Sequence, residues 1–203
     1  MSKILKFFSI SIFIVFLSMT TVMAEVTTNS AAPDFKLTDT MGKPHSLSDY
    51  KGKYVVLEWV NYECPFVKKH YSDGNMQGLQ KSLTQEGVVW LSINSSAEGK
   101  QGYYTANEVN QIMENSKAVP TAYLLDTDGT VGKQYAAKTT PHMFVINPEG
   151  ILIYQGAIDS IPSFDPADIK AADNYVMKAL YEAKASQVVS NQTTQPYGCS
   201  VKY

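Results

Sequence analysis

Between Tyr54 and Cys64 the chain runs Val55-Val56-Leu57-Glu58-Trp59-Val60, a short apolar stretch with a single acid, and then reaches Cys64-Pro65. A run of this length, rich in β-branched residues, reads as a strand covered on both faces. Pro65 suits a first helical position, because its fixed φ fits the helix and its missing N–H would be unpaired there anyway. The chain therefore turns from buried strand to helix at Cys64, the place where layered α/β folds hold their ligands. Free N–H groups and the helix dipole favour negative charge at that point. A thiol placed there is more acidic than a free one, and its thiolate is the nucleophile. Pro65 thus counts among the residues expected to stabilise a thiolate.

The remaining pattern extends this layering. Pro33 to Lys53 reads as an entry hairpin, with Leu47 to Gly52 as its return. Pro65 to about Glu86 is helical with a break at Ser72-Asp73-Gly74, and Val88 to Ile93 is a second buried strand. Thr105 and Glu108 have the spacing of a capping box for a helix reaching about Lys117. Thr121 to Leu125 is a third strand, and Val131 to Ala137 holds a short helical piece. His142–Ile146 and Ile151–Gln155 flank the turn Asn147-Pro148-Glu149-Gly150. Ile169, Ala172, Val176, Leu180 and Ala183 form an apolar stripe for a final helix. Gln187 to Tyr203 is polar, lacks periodicity and is expected to be mobile. Strands alternating with helices imply a central sheet flanked by helices.

Lys3 and Lys6, the apolar run Phe7 to Leu17 and the small-residue site Val22-Met23-Ala24 have the form of a secretory signal. The expected organisation is a signal peptide over 1–24, a domain over 25–186 and a tail over 187–203. That places the protein in an oxidising space, periplasmic or secreted. About 179 residues remain, enough for one real core. The 17 basic and 19 acidic residues give a net charge of −2 and no basic patch for nucleic acid or anionic lipid. No stable membrane insertion is expected after signal cleavage. Every basic side chain other than histidine is lysine. The chain has two cysteines, Cys64 and Cys199. They are either a structural staple or a working pair.

These residues resemble the thioredoxin superfamily, and more narrowly the alkyl hydroperoxide reductase/thiol-specific antioxidant (redoxin) proteins, especially their peroxiredoxin-like extracytoplasmic members. The likeness lies in Ala32-Pro33-Asp34-Phe35, Leu47 to Lys53, the strand into Cys64-Pro65, Thr139-Thr140-Pro141 and Asn147 to Gly150. The ending Tyr197-Gly198-Cys199-Ser200-Val201-Lys202-Tyr203 is similar to that group as well. The resemblance implies a thioredoxin-like α/β fold with a central mixed sheet, an N-terminal hairpin and an αβ insertion. It implies that Cys64 is the attacking cysteine and Glu58 the buried acid that assists proton transfer, the other reading of Glu58 being a lysine partner at a sheet edge. It implies that Pro141 is the cis-proline facing the cysteine, so that the Thr140 backbone pairs with substrate.

The sequence also departs from those families. Val67 stands where the second cysteine of Cys-x-x-Cys would be, and Leu57 and Asn61 replace the proline and threonine of the peroxiredoxin motif. The arginine that polarises peroxide is absent, and lysine does not supply its planar fork. Cys199 is then the internal candidate for the resolving thiol that frees a Cys64 adduct. Lys68 and His70 are candidates to stabilise the thiolate, and Lys69 reads as solvated. Among the nearby aromatics, Tyr62 is expected to form a substrate-facing rim, with Trp59 and Phe66 in the core. The expected activity is thiol–disulfide exchange or antioxidant chemistry, on a protein or small-molecule disulfide or peroxide and with an external thiol reductant. It needs no cofactor and no metal. The alternatives are a thiol-dependent hydroperoxide reductase using Cys64, and a noncatalytic redox-fold binding protein, in which His70 and His142 join the cysteines to hold copper or zinc.

Overall fold

The computed structural model describes residues 26–203, so the signal peptide expected over 1–24 lies outside the described residues. Seven strands form one mixed sheet, in the order β2 (Pro44–Ser46), β1 (Lys36–Asp39), β5 (Ala122–Leu125), β4 (Val89–Asn94), β3 (Val55–Trp59), β7 (His142–Ile146) and β8 (Leu152–Gly156). β3 runs parallel to β4 and antiparallel to β7, which makes the strand leading to Cys64 a central one. All five of its residues are buried. Val55, Leu57 and Trp59 join a cluster with Phe35, Leu47, Tyr135 and Phe144 on one face. Val56 and Val60 face the other side with Val67, Met76, Leu83, Val109 and Leu180, where the larger helices pack. A fully buried Val or Leu is worth about 1.5–3 kcal/mol, so both faces hold β3 in register.

Helix α1 (Pro65–Ser72) follows at once, with Cys64 at its N-cap. It stops at Asp73, and Gly74 takes φ +76° before α2 (Asn75–Gln85), a left-handed turn that suits glycine. Helix α3 (Ala106–Ser116) begins on the Thr105–Glu108 capping box and, with β5, forms the inserted αβ unit. Helix α4 (Thr130–Gln134) covers the opposite face.

Three expectations are corrected. The hairpin returns over Pro44–Ser46, and Leu47–Tyr50 is a 3₁₀ turn whose Ser46 N–H donates to Asp49 at 2.9 Å while Leu47 fills the core. The final helix α5 (Tyr175–Lys184) starts only after Asn174, whose side chain accepts from the Met177 N–H. Ile169 belongs to a separate 3₁₀ turn over Pro166–Ala171, which Ala172 terminates.

The third correction concerns the tail, which is docked along the molecule. Gln155 N–H donates to the Gln192 carbonyl at 3.0 Å, and Thr194 N–H returns a bond to the Gln155 carbonyl at 3.1 Å. Strand β9 (Cys199–Ser200) pairs antiparallel with β6 (Thr139–Thr140), setting Cys199 opposite Thr140. Ala97 N–H bonds the Lys202 carbonyl at 2.8 Å, and Tyr203 donates to the Ala137 carbonyl at 2.8 Å. The Tyr203 ring lies where a Cβ on Gly132 would come within 2.7 Å, so glycine there makes room for the end of the strap. No helix of the described residues is long and apolar enough to cross a membrane.

Candidate active site

Cys64 is at the carboxyl end of β3 with φ −69° and ψ 126°, an extended cap residue whose carbonyl accepts from Lys68 N–H at 2.9 Å. The Thr140–Pro141 peptide bond is cis. The Cys64 thiol donates to the Thr140 carbonyl at 3.0 Å and accepts from the Cys199 N–H at 3.4 Å. The fold thus brings together Cys64, Cys199, Thr140 and Pro141, from three separated parts of the chain. Neither cysteine is in a disulfide.

Cys64 is fully buried and Cys199 partly so. What roofs the Cys64 sulfur includes the polar backbone of Gly198-Cys199 and Thr140. Burial alone pushes the Cys64 thiol up. Hydrogen bonds from the Cys199 thiol and N–H, and from the Val67 N–H, outweigh it and hold Cys64 below the ordinary thiol range. Burial and the neighbouring Cys64 push Cys199 the other way, to about 11. The two shifts run in opposite directions, which makes Cys64 the more acidic thiol of the pair. The Thr140 side chain also lowers the Cys64 thiol, as the smallest of these influences, and its buried hydroxyl makes no hydrogen bond to another protein group.

Glu58 is fully buried, six residues before Cys64, on the central strand. It accepts from Trp90 Nε1 and Ser92 Oγ at 2.8 Å each, from Tyr71 Oη at 2.9 Å and from Gln80 Nε2 at 3.3 Å. Among the described residues no lysine pairs with it, and β3 is a central strand, which goes against the sheet-edge reading. Burial raises its pKa above the ordinary carboxylate range despite these donors. It makes no direct hydrogen bond to either cysteine.

The neighbouring side chains depart from expectation. Tyr62 is buried, stacked on Tyr123 at 5.9 Å and edge-on to Tyr71 at 5.1 Å, so it belongs to the core and not to a rim. Phe66 is the half-buried one, edge-on to Phe164 at 6.1 Å and to Tyr197 at 5.8 Å; these three rings cluster beside the start of α1. The difference follows from the turn: Tyr62 precedes the helix and points under it, whereas Phe66 lies in the first turn of α1.

Lys68 is exposed and free to act by charge alone. Lys69 is buried, correcting its solvated reading; it donates to Asp159 at 3.3 Å and to the Ile161 carbonyl at 2.9 Å. His70 is fully buried beside Asn75 and Asp159, and burial lowers it to about 4, so it is neutral at physiological pH and offers the thiolate no positive charge. His142 is likewise lowered by burial, to about 3, and accepts from the Lys138 N–H at 3.2 Å. Among the described residues no three His, Cys, Asp or Glu side chains are grouped to hold a metal ion. His45 is a packing residue, bonded to Asp39 at 2.9 Å and to Tyr50 at 2.5 Å.

Sequence reasoning passed over Asp159 and Tyr197. Asp159 is a buried acid three residues beyond β8, and Tyr197 is an aromatic two residues before Cys199, in a mainly polar tail. That tyrosine, two residues from the cysteine, was the available signal.

A model of the AhpC/TSA family matches residues 28–155, well over half the chain. The chain is 33% identical over 117 residues to the thiol-disulfide oxidoreductase ResA of Geobacillus kaustophilus (strain HTA426), an alignment covering 52% of this chain and 67% of that protein. The crystal structure of a hypothetical protein from Sinorhizobium meliloti 1021 superposes with a TM-score of 0.75 at 23% identity, over 89% of this chain and 96% of the other. A putative thiol:disulfide interchange protein DsbE from Chlorobium tepidum gives 0.58 at 21% identity, over 78% and 99%. The two structures support the fold, and the sequence relative supports the class of chemistry. The chain therefore belongs to the AhpC/TSA family, and it is a thiol–disulfide oxidoreductase of thioredoxin-like type.

Proposed function

We propose that Cys64 is the nucleophile of this oxidoreductase and that Cys199, carried on the docked tail, is its resolving thiol. The observation that carries this reading is the Cys199 N–H on the Cys64 sulfur at 3.4 Å, with Cys199 in register opposite Thr140. The Cys64 thiolate attacks one sulfur of a substrate disulfide; that S–S bond breaks, the leaving thiolate takes a proton, and Cys64 is left in a mixed disulfide. Cys199, once ionised, attacks the Cys64 sulfur and expels the second substrate thiolate. Two electrons have then passed from the cysteine pair to the substrate, and an external dithiol restores the pair. Glu58 serves as the buried proton acceptor, a role supported by its raised pKa and by the absence of a basic partner among the described residues. Thr140 and Pro141 present backbone to the substrate, and Phe66, Phe164 and Tyr197 give that substrate an apolar edge. Lys68 adds positive charge at the mouth.

Strand β9 covers the edge of β6 and the Cys64 sulfur, so a disulfide reaches Cys64 only when the strap lifts. The composition of residues 3–24 supports an extracytoplasmic location, periplasmic or secreted, where both thiols meet oxidised substrates. Cell fractionation with and without that segment tests the location.

The test of the cysteine roles is trapping. Cys199→Ser incubated with a disulfide-bonded peptide accumulates a mixed disulfide on Cys64, whereas the parent protein releases reduced peptide and Cys64→Ser does neither. Release of reduced peptide by Cys199→Ser at the parental rate would assign resolution to an outside thiol.

A further inference from the structure

One carboxylate ties both cysteine-bearing segments together. Asp159 lies in the segment between β8 and α5 and is 3% exposed. Its Oδ2 accepts from Lys69 Nζ at 3.3 Å, and its Oδ1 accepts from Ile161 N–H at 3.1 Å and from the Tyr197 hydroxyl. His70 Nε2, otherwise unpartnered, lies 3.7 Å from Oδ2. Lys69 is on α1, five residues after Cys64; Tyr197 is two residues before Cys199. The Lys69 ammonium also stands 5.7 Å from the centre of the Tyr197 ring, and the Phe66 ring meets the same tyrosine edge-on.

The alternatives on the molecule do not explain this cluster. A buried Lys–Asp pair alone is seldom a net gain in stability, since desolvating two charges offsets most of their attraction. Here the pair has a third member from the tail, more than thirty residues away in sequence. Between Tyr197 and Cys199 stands only Gly198, with φ +135°, where a Cβ would lie 2.1 Å from the Thr140 carbonyl oxygen. The chain has no slack there, so the position of the tyrosine fixes that of the cysteine.

We propose that Asp159 is a positioning residue of the redox pair: held by Lys69 on the Cys64 helix, it grips Tyr197 and so sets Cys199 against Cys64. The inference rests on the reading of Cys64 and Cys199 as nucleophile and resolver. Asp159 itself touches neither sulfur. It decides how long the strap stays closed, and therefore both how shielded and how acidic Cys64 is.

The experiment uses fully reduced full-length protein and peptide-resolved alkylation with iodoacetamide across pH. Tyr197→Phe removes one hydroxyl and keeps the ring on Phe66 and Lys69. It is expected to speed Cys199 alkylation about tenfold, equivalent to about 1.4 kcal/mol, which is near the low end for a hydrogen bond to a charged acceptor. Cys64 should show two opposed changes: a higher limiting rate at alkaline pH, from lost shielding, and a higher pH midpoint, from lost donors. General loosening of the fold raises the rates without raising the midpoint. Asp159→Asn, which keeps the shape and removes the charge, should move both quantities in the same directions. Parental rates and an unmoved midpoint in Tyr197→Phe would overturn the proposal. These measurements need no disulfide to form, so failure of the trapping experiment with Cys199→Ser counts against the pair chemistry alone.

Discussion

Replacing Gly198 by alanine attacks the closed strap at one atom. The new Cβ would lie 2.1 Å from the Thr140 oxygen and 2.8 Å from its carbonyl carbon, well inside van der Waals contact. Both neighbours are backbone atoms of the loop that also receives the Cys64 thiol, so neither can swing aside as a side-chain tip would. The native φ of +135° is itself unfavourable for any residue with a Cβ, by about 1–3 kcal/mol. Taking about 2 kcal/mol as the minimum cost, the ratio of docked to lifted strap falls about 30-fold. The core elements keep their contacts, because β9 belongs to its own two-stranded sheet and not to the central one. Peptide-resolved alkylation should therefore show Cys199 reacting about 30-fold faster, with near-ultraviolet circular dichroism showing the parental fold. Disulfide formation between Cys64 and Cys199 should slow, and the mixed disulfide with substrate should persist. Parental alkylation rates in Gly198→Ala would refute the idea that the tail is held on β6.

Further outcomes follow from the buried charges and the thiols. Lys69→Met leaves Asp159 buried without its ammonium partner and should destabilise the protein by about 3–5 kcal/mol in urea titration; a change under 1 kcal/mol would contradict the burial of that pair. His70 and His142 have native values lowered by burial to about 4 and about 3. The unfolded chain thus binds protons before the native one does, and their contribution to stability falls on acidification below about pH 6.5, levelling near pH 4 and pH 3 respectively. Glu58 and Asp126, both raised by burial, act with the opposite sign, so the comparison is between the parent and His70→Asn at pH 7 and pH 5. The variant should lose less stability between the two; an equal loss would rule His70 out as a contributor. Cys64→Ser should abolish reduction of insulin disulfides and any peroxide consumption together, and peroxide consumption surviving it would point to chemistry elsewhere on the molecule.

What the sequence disclosed and what it withheld divide along the range of the interactions. The strand into Cys64, the proline that opens α1, the break at Gly74 and the Thr105 capping box are local, and each was legible from a few adjacent residues. The docked tail was not legible, because backbone pairing between β6 and β9 and single tyrosine anchors leave no periodic trace. Lys69 looked solvated because lysines usually are, and its partner Asp159 is 90 residues away. Tyr62 and Phe66 exchanged expected places because the direction in which the turn points them is a property of the packed helix. The start of α5 was missed because Ile169 and Ala172 extend its apolar spacing, while the decisive signal was a single capping asparagine at Asn174.

A redox titration read by mass spectrometry is the most direct check on the two cysteines. Full-length protein equilibrated in graded mixtures of reduced and oxidised dithiothreitol, acid-quenched and digested without reduction, should yield one reversible two-electron transition between two free thiols and a Cys64–Cys199 crosslinked peptide within a single chain. Two thiols that remain free under oxidising conditions, or a crosslink found only between chains, would contradict the account.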